Sequence, residues 1–350
     1  MSIHSSIRRL IRPIAVASLL CGSFVAPSIL SAQQPYKIID RWKIGGDGGW
    51  DDLHADSQAH RLYLTHGTRV DVVDTQTGKL VGSITGLHGT HGVALDDAGK
   101  FGYISDGSGN AVVVFDRASL AIVATIPVGK NPDGIVFESA TQTVWAFDGR
   151  SNDVSVISAA TQKVVATIPL PGKPEFATTD GKGLIYDNIE DKNEVIRLDA
   201  HTNAITAAWQ LTGCDSPSGL AIDVAGSRLF SVCDGKRMAV IDANTGESLA
   251  NPIIGDGPDG AGWDSVHKLA FASCGGTGTL TVIDASAASY PAIENLPTQR
   301  GARTMTYDAA TDRAYLVSAE FGPRPDPTSD NPRPRPPVLP GSFVVLVVGR

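Results

Sequence analysis

His66, His88 and His91 lie close together in the chain, with Asp51, Asp52, Asp106 and Asp133 on either side. An imidazole beside a carboxylate can ligate a transition metal, or act as a general base oriented by its acid. Carboxylates alone would suit calcium, which takes oxygen ligands only. The candidate metal ligands are therefore His66, His88, His91, Asp51, Asp106 and Asp133. The candidate catalytic groups are His66 and His91 as bases, with Arg303 to steady a developing oxyanion. The competing reading of the same residues is a solvated polar rim with no chemistry. No compact motif supports any single reaction. H-E-x-x-H, paired C-x-x-C, C-x-x-C-H and G-x-S-x-G are all missing from the chain. The run Gly45 to Trp50 lacks the Lys-Ser/Thr and following helix of a phosphate loop, and reads as a plain loop. Trp50 at its end is either a stacking surface for a ligand or a cap on local packing.

What places these residues is a repeat. An apolar strand ending in an acid or serine, then a small polar turn, recurs at Val70–Asp74, Val112–Asp116, Val154–Ser158, Val195–Asp199, Met238–Asp242 and Leu280–Asp284. A looser copy follows at Phe343–Val347, and the spacings run 42, 42, 41, 43, 42 and 63 residues. A period near 42 that is dense in strand and turn signals indicates a β-propeller. Residues 90–126 show one unit: short apolar runs beginning at Thr90, Phe101, Ala111 and Leu120, separated by Asp/Gly/Asn-rich turns. Four short antiparallel strands make one blade, and radial stacking buries both of its faces.

A second set of residues counts the blades independently. Trp50-Asp51-Asp52, Thr90-His91-Gly92, Pro132-Asp133-Gly134, Pro174-Glu175-Phe176, Pro217-Ser218-Gly219, Pro258-Asp259-Gly260 and Ala302-Arg303-Thr304 each open a unit. The last unit ends after its third strand, while Tyr36–Gly45 matches the fourth-strand segment Lys163–Gly172. The expectation is an all-β, seven-bladed β-propeller of four-stranded antiparallel blades, its ring closed by the N-terminal strand joining the last blade. Closure would also remove free sheet edges.

Tyr63-Leu64-Thr65-His66, Tyr103-Ile104-Ser105-Asp106, the Thr-Gly turns at 77–78 and 245–246, and Pro-Asp-Gly at 132–134 and 258–260 resemble the YVTN-repeat (YncE-like) family of exported bacterial seven-bladed propellers. The likeness runs from about residue 36 to the end. It implies a binding or scaffold propeller and no single activity. The insertion near 321–341 and the histidine cluster depart from that pattern.

Aligning the repeats turns equivalent positions into rings about the axis. The first ring is Asp51, His91, Asp133, Glu175, Ser218, Asp259 and Arg303; the second is His66, Asp106, Asp148, Asn188, Cys233, Cys274 and Ser318. Both are predicted to line the channel mouth, because antiparallel pairing sets the start of one strand beside the end of the next. The ligand-binding candidates are thus Asp51, His91, Asp133, Glu175, Asp259, Arg303 and Trp50. Cys214 and Cys233 fall in one blade and are the better disulfide pair. Cys233 and Cys274 occupy equivalent sites on adjacent blades, where the fan-out is too wide to bridge. The prolines between Phe321 and Gly341 predict an extended loop between the second and third strands of blade seven, either a lid or docking arm, or a tolerated insertion.

Residues 1–32 read as a signal peptide, with Arg8, Arg9 and Arg12 ahead of an apolar stretch and Ser31-Ala32 at its end. Residues 33–350 form the single propeller domain. Because those arginines meet no acid in the leader, the remainder is three charges more negative than the −8 of the whole chain. Such a body disfavours nucleic acid and anionic lipid. The chain is expected to be periplasmic or secreted, a monomer, without a transmembrane segment after processing. It is expected to bind a small polar ligand or an envelope protein on the channel-mouth face. The alternative is a metal-assisted lactonase or lyase, using a calcium or transition-metal ion at the same mouth.

Overall fold

In a computed structural model, residues 1–3, 34–328 and 334–350 are described. The predicted signal peptide lies almost wholly outside them. Residues 35–350 form one compact unit. It contains seven four-stranded antiparallel sheets, each built from strands consecutive in sequence except the last. Blade 1 runs Trp50–Asp56, Arg61–His66, Arg69–Asp74 and Leu80–Ile84. In blade 7 the fourth place is taken by the N-terminal strand Lys37–Lys43, which pairs with Val344–Gly349 from Lys37↔Gly349 to Lys43↔Val344. The ring is closed as the repeat predicts.

The innermost strands touch in sequence order and the last touches the first, so they surround a central channel. There is no single core. Each of seven apolar clusters spans one blade–blade interface. This is why the second and third strands are mostly apolar rather than cleanly alternating. At the 7–1 interface Trp42, Tyr315, Phe343 and Val345 meet Leu62, Leu64 and Val73. Among the described residues no helix is long and apolar enough to cross a membrane.

The acid that ends each repeated phrase has a local purpose. Asp74 Oδ1 accepts hydrogen bonds from the Gln76 and Thr77 amides and from Thr77 Oγ1, at 3.0, 2.8 and 2.9 Å. Asp242 does the same for Asn244 and Thr245. These carboxylates clamp the outer hairpin turn. Gly78 follows in the turn at φ +68°, and a Cβ there would lie 2.4 Å from the Trp42 ring, so only glycine lets blade 7 close onto blade 1.

Cys214 and Cys233 are disulfide-bonded with Cα atoms 5.3 Å apart, tying the approach loop of blade 5 to its second strand. Cys274 is a buried free thiol whose pKa is pushed up to about 11, chiefly by burial, so it is a poor nucleophile. For a 19-residue separation the chain-entropy argument gives the bond about 3 kcal/mol, so Cys214→Ser/Cys233→Ser should melt about 5 °C lower. Thermal unfolding with and without reductant measures this, and an unchanged midpoint would contradict it.

Candidate functional site

Six of the seven inner strands enter their blades through an irregularity; Met305–Asp308 of blade 7 pairs regularly with Arg313–Leu316. Trp50 pairs with His66 but Leu53 pairs with Leu64, so one extra residue is accommodated between them. The same shift occurs at Thr90/Val93, Pro132/Ile135, Pro174/Ala177, Pro217/Leu220 and Pro258/Gly260. A β-bulge re-aims the side chains it contains. Here it lets the first-ring residues join one another across blades.

The result is a continuous chain of contacts around more than half of the channel mouth. Asp259 pairs with Arg303, Arg303 Nη2 lies 3.0 Å from Asp51 Oδ1, and His91 Nδ1 lies 2.6 Å from Asp51 Oδ2 and 3.4 Å from Asp133 Oδ1. Blade 4 adds Lys173, which pairs with Glu175 at 3.0 Å and with Glu190. Ser218 breaks the run: its hydroxyl donates to the Pro258 carbonyl at 3.2 Å. Six of the seven first-ring side chains thus stand in ion pairs.

The surroundings set the protonation. Burial opposes charge on His91, but the Asp51 hydrogen bond and the Asp133 charge overcome it and raise its pKa to about 9. Burial pushes Asp51 up, yet His91 and Arg303 hold it below the usual carboxylate range. Asp133 is raised to about 6 by burial, with His91 offsetting part of it. Burial and the Asp133 charge lift Glu175 to about 7. Asp52 is lifted to about 8, mainly by burial and then by its acidic neighbours. Asp187 is fully buried and pushed well above its ordinary value by burial and the Glu175 charge. The mouth therefore holds more carboxyl groups than its three cations neutralise.

The second ring is a correction. His66 opposes Trp50 rather than Asp51, so the bulge sends it into the packing between blades instead of the channel. It is fully buried, 2.9 Å from Asp71, beside Arg69 and under the Phe343 ring. Asp106 is also buried, accepting from the His88 and Gly89 amides at 2.8 Å each. His88 pairs with that same Asp106 at 3.0 Å and stays largely exposed. Asp148 accepts from Ser155, Asn188 donates to the Ser218 carbonyl, and Ser318 donates to the Arg300 carbonyl. The three histidines occupy three separate environments.

Of the predicted metal candidates, the structure brings Asp51, His91 and Asp133 together, one ligand atom of each lying within 4.8 Å of the others. Two carboxylates and an imidazole fit a divalent cation of borderline character. His91 would first have to lose the proton its neighbours hold on it. Trp50 packs on Phe343 and Phe321, with ring centroids 5.6 and 6.0 Å away, at the edge of the mouth.

Residues one place before the second ring were missed by sequence reasoning. Thr65 Oγ1 and Ser105 Oγ accept from the Asp51 and Gly92 amides, inside the bulges, at 3.3 and 2.8 Å. Ser105 and Ser273 also donate to the Asp133 and Arg303 carbonyls of the next blade, at 2.6 and 2.5 Å. Blade 4 carries Asp187 at this position. The signal was a polar residue recurring in an otherwise apolar strand.

No family model matches the chain, and no curated protein matches it in sequence. Solved structures do match its fold. It is similar to Kuenenia stuttgartiensis hydrazine synthase, at 16% identity and a TM-score of 0.69, over 77% of this chain and 92% of that one. It is similar to U3-55K at 10% identity and TM-score 0.72, over 89% and 98% of the two chains. The RRP9 WD40 repeats match equally, at 10% and 0.72 over 89% and 97%. At such identities the likeness shows the propeller fold alone. That fold commonly serves as a scaffold or binding module.

Proposed function

We propose that this chain is a ligand-binding propeller of the cell envelope that takes a small cation, organic ammonium or divalent metal, at its channel mouth. The observation that carries the reading is the excess of carboxyl groups there. Asp52, Asp133, Glu175 and Asp187 all have raised pKa values, and the other three each feel the charge of Asp133. A cation entering beside them relieves the repulsion and the burial that keep protons on them. The basic, apolar leader and the YVTN-repeat resemblance support the envelope assignment.

Calorimetric titration of the purified propeller with calcium, manganese and a short diamine tests this. Binding should release protons, seen as heats that differ between buffers of different ionisation enthalpy. Asp133→Asn should weaken binding about tenfold through loss of one charge-assisted contact. No heat from any of these cations at millimolar concentration would refute the reading.

The clustering of Asp51, His91 and Asp133 favours one second reading, a metal-assisted lactonase or lyase. In that case affinity for the metal should rise towards pH 9 as His91 loses its proton. Metal-dependent lactone hydrolysis, abolished by His91→Ala, would support it. Arg303 is already engaged by Asp259, Asp51 and the Trp50 carbonyl, so the oxyanion role does not suit it.

A further inference from the structure

We infer a second binding site, for an anion carried on an apolar body, in the cleft between the proline-rich insertion and the channel rim. It does not depend on the channel-mouth reading: the two share Trp50 and Arg303 on one wall, but the charge that would hold the ligand is the opposite one and comes from other residues. The cleft encloses about 1170 Å³, room for a ligand of tens of atoms. Among the described residues Arg300, Arg303, Arg324 and Arg335 all line it, against the single acid Glu320. In an acidic chain this convergence is unexpected from composition; Arg324 and Arg335 come from the proline-rich insertion, and the fold adds Arg300 and Arg303 to them.

Arg303 is committed to the rim carboxylates. The side chains of Arg300, Arg324 and Arg335 are exposed, and among the described residues they have no hydrogen bond or ion pair. Bringing several guanidinium groups to one concave surface creates a positive potential that an anion relieves. Guanidinium is also the group best shaped to grip a carboxylate.

Trp50, Phe321, Pro336, Val338 and Leu339 give the cleft an apolar part that is already in place. The insertion leaves and re-enters the blade as a short ribbon. Phe321 bridges to Val338, the Gly322 amide donates to the Pro337 carbonyl, and the Leu339 amide to Glu320, both at 2.8 Å. Phe321 lies over Gly301, where a Cβ would come within 2.6 Å of the ring. Phe321 and Leu339 remain 37% and 39% exposed. A bare inorganic anion would leave both of them wet; a carboxylate on an aliphatic or aromatic frame covers them. Preformed walls reduce the ordering cost of binding.

Decanoate, decyltrimethylammonium and inorganic phosphate, titrated into the full mature chain, test the inference. Decanoate should bind, the cationic amphiphile should not, and phosphate should compete only weakly. Arg300→Ala and Arg324→Ala should each weaken decanoate about tenfold, and added salt should weaken it further. Gly49→Phe should block the cleft, since a Cβ there meets nothing within 4 Å and the ring can project into the space. Melting curves confirm that each variant is folded. Equal affinity for the two amphiphiles, phosphate as tight as decanoate, or decanoate binding unchanged in Arg300→Ala/Arg324→Ala would overturn it. Cation binding measured in Arg324→Ala tests the channel-mouth reading separately, because Arg324 takes no part in the rim network.

Discussion

A chain lacking residues 36–45 should melt about 10 °C or more below the full propeller, or fail to fold. Those residues supply the outer strand of blade 7, the one strand not contiguous with its sheet. Their loss leaves Val344–Gly349 as an open apolar edge. It also removes Tyr36 and Trp42, 4% and 7% exposed, from the two interfaces that flank blade 7. Truncating one buried aromatic costs about 3–5 kcal/mol, and two are lost here together with a ladder of backbone bonds. Trp42→Ala isolates part of the effect, since its ring packs on Tyr315 at 5.6 Å and its Nε1–H donates to Asp40 at 2.8 Å. Calorimetry on both variants measures it. A deletion that melts with the parent would mean the ring does not depend on its closure.

The second large effect is on pH dependence. A carboxyl with a raised folded pKa binds more protons folded than unfolded, so its contribution is full below its ordinary pKa and is lost as pH rises. The window runs from about 4 up to about 8 for Asp52, about 7 for Glu175 and about 6 for Asp133. His91 acts in the same direction: its stabilisation is complete below about 6.5 and disappears through about 9. Each group contributes up to about 1.4 kcal/mol per pH unit within its window. Unfolding midpoints should therefore fall steadily from pH 5 to pH 8. Asp187→Asn removes one fully buried titrating group whose pKa is raised by burial, and should flatten that slope. The same slope in wild type and variant would show that Asp187 is not held protonated by the fold.

Much of the candidate site was legible before any coordinates. Asp51, His91, Asp133, Asp259 and Arg303 were aligned by the repeat, and the structure links all five. His66 and Asp106 were aligned equally well and landed elsewhere. The difference is one residue: the bulge after Trp50, Thr90 and Pro132 breaks the simple pairing on which the second ring was inferred. Bulges leave no strong mark in a single sequence, because Asp-Asp, His-Gly and Asp-Gly occupy the same place with nothing in common but their position. The arginine cleft was less legible still. Its cations come from the approach loop of blade 7 and both arms of an insertion, segments that share no repeat position.

By itself the amino-acid order determined the blade number, the four-strand unit and the swap that shuts the ring. These rest on near-neighbour patterns of apolar strands and polar turns, repeated often enough to be counted. Tertiary structure alone decided which polar groups meet, how their protons are held and where positive charge collects. Those outcomes arise between blades, where a one-residue register change reverses a side chain and loops far apart in the chain come together once the ring has closed.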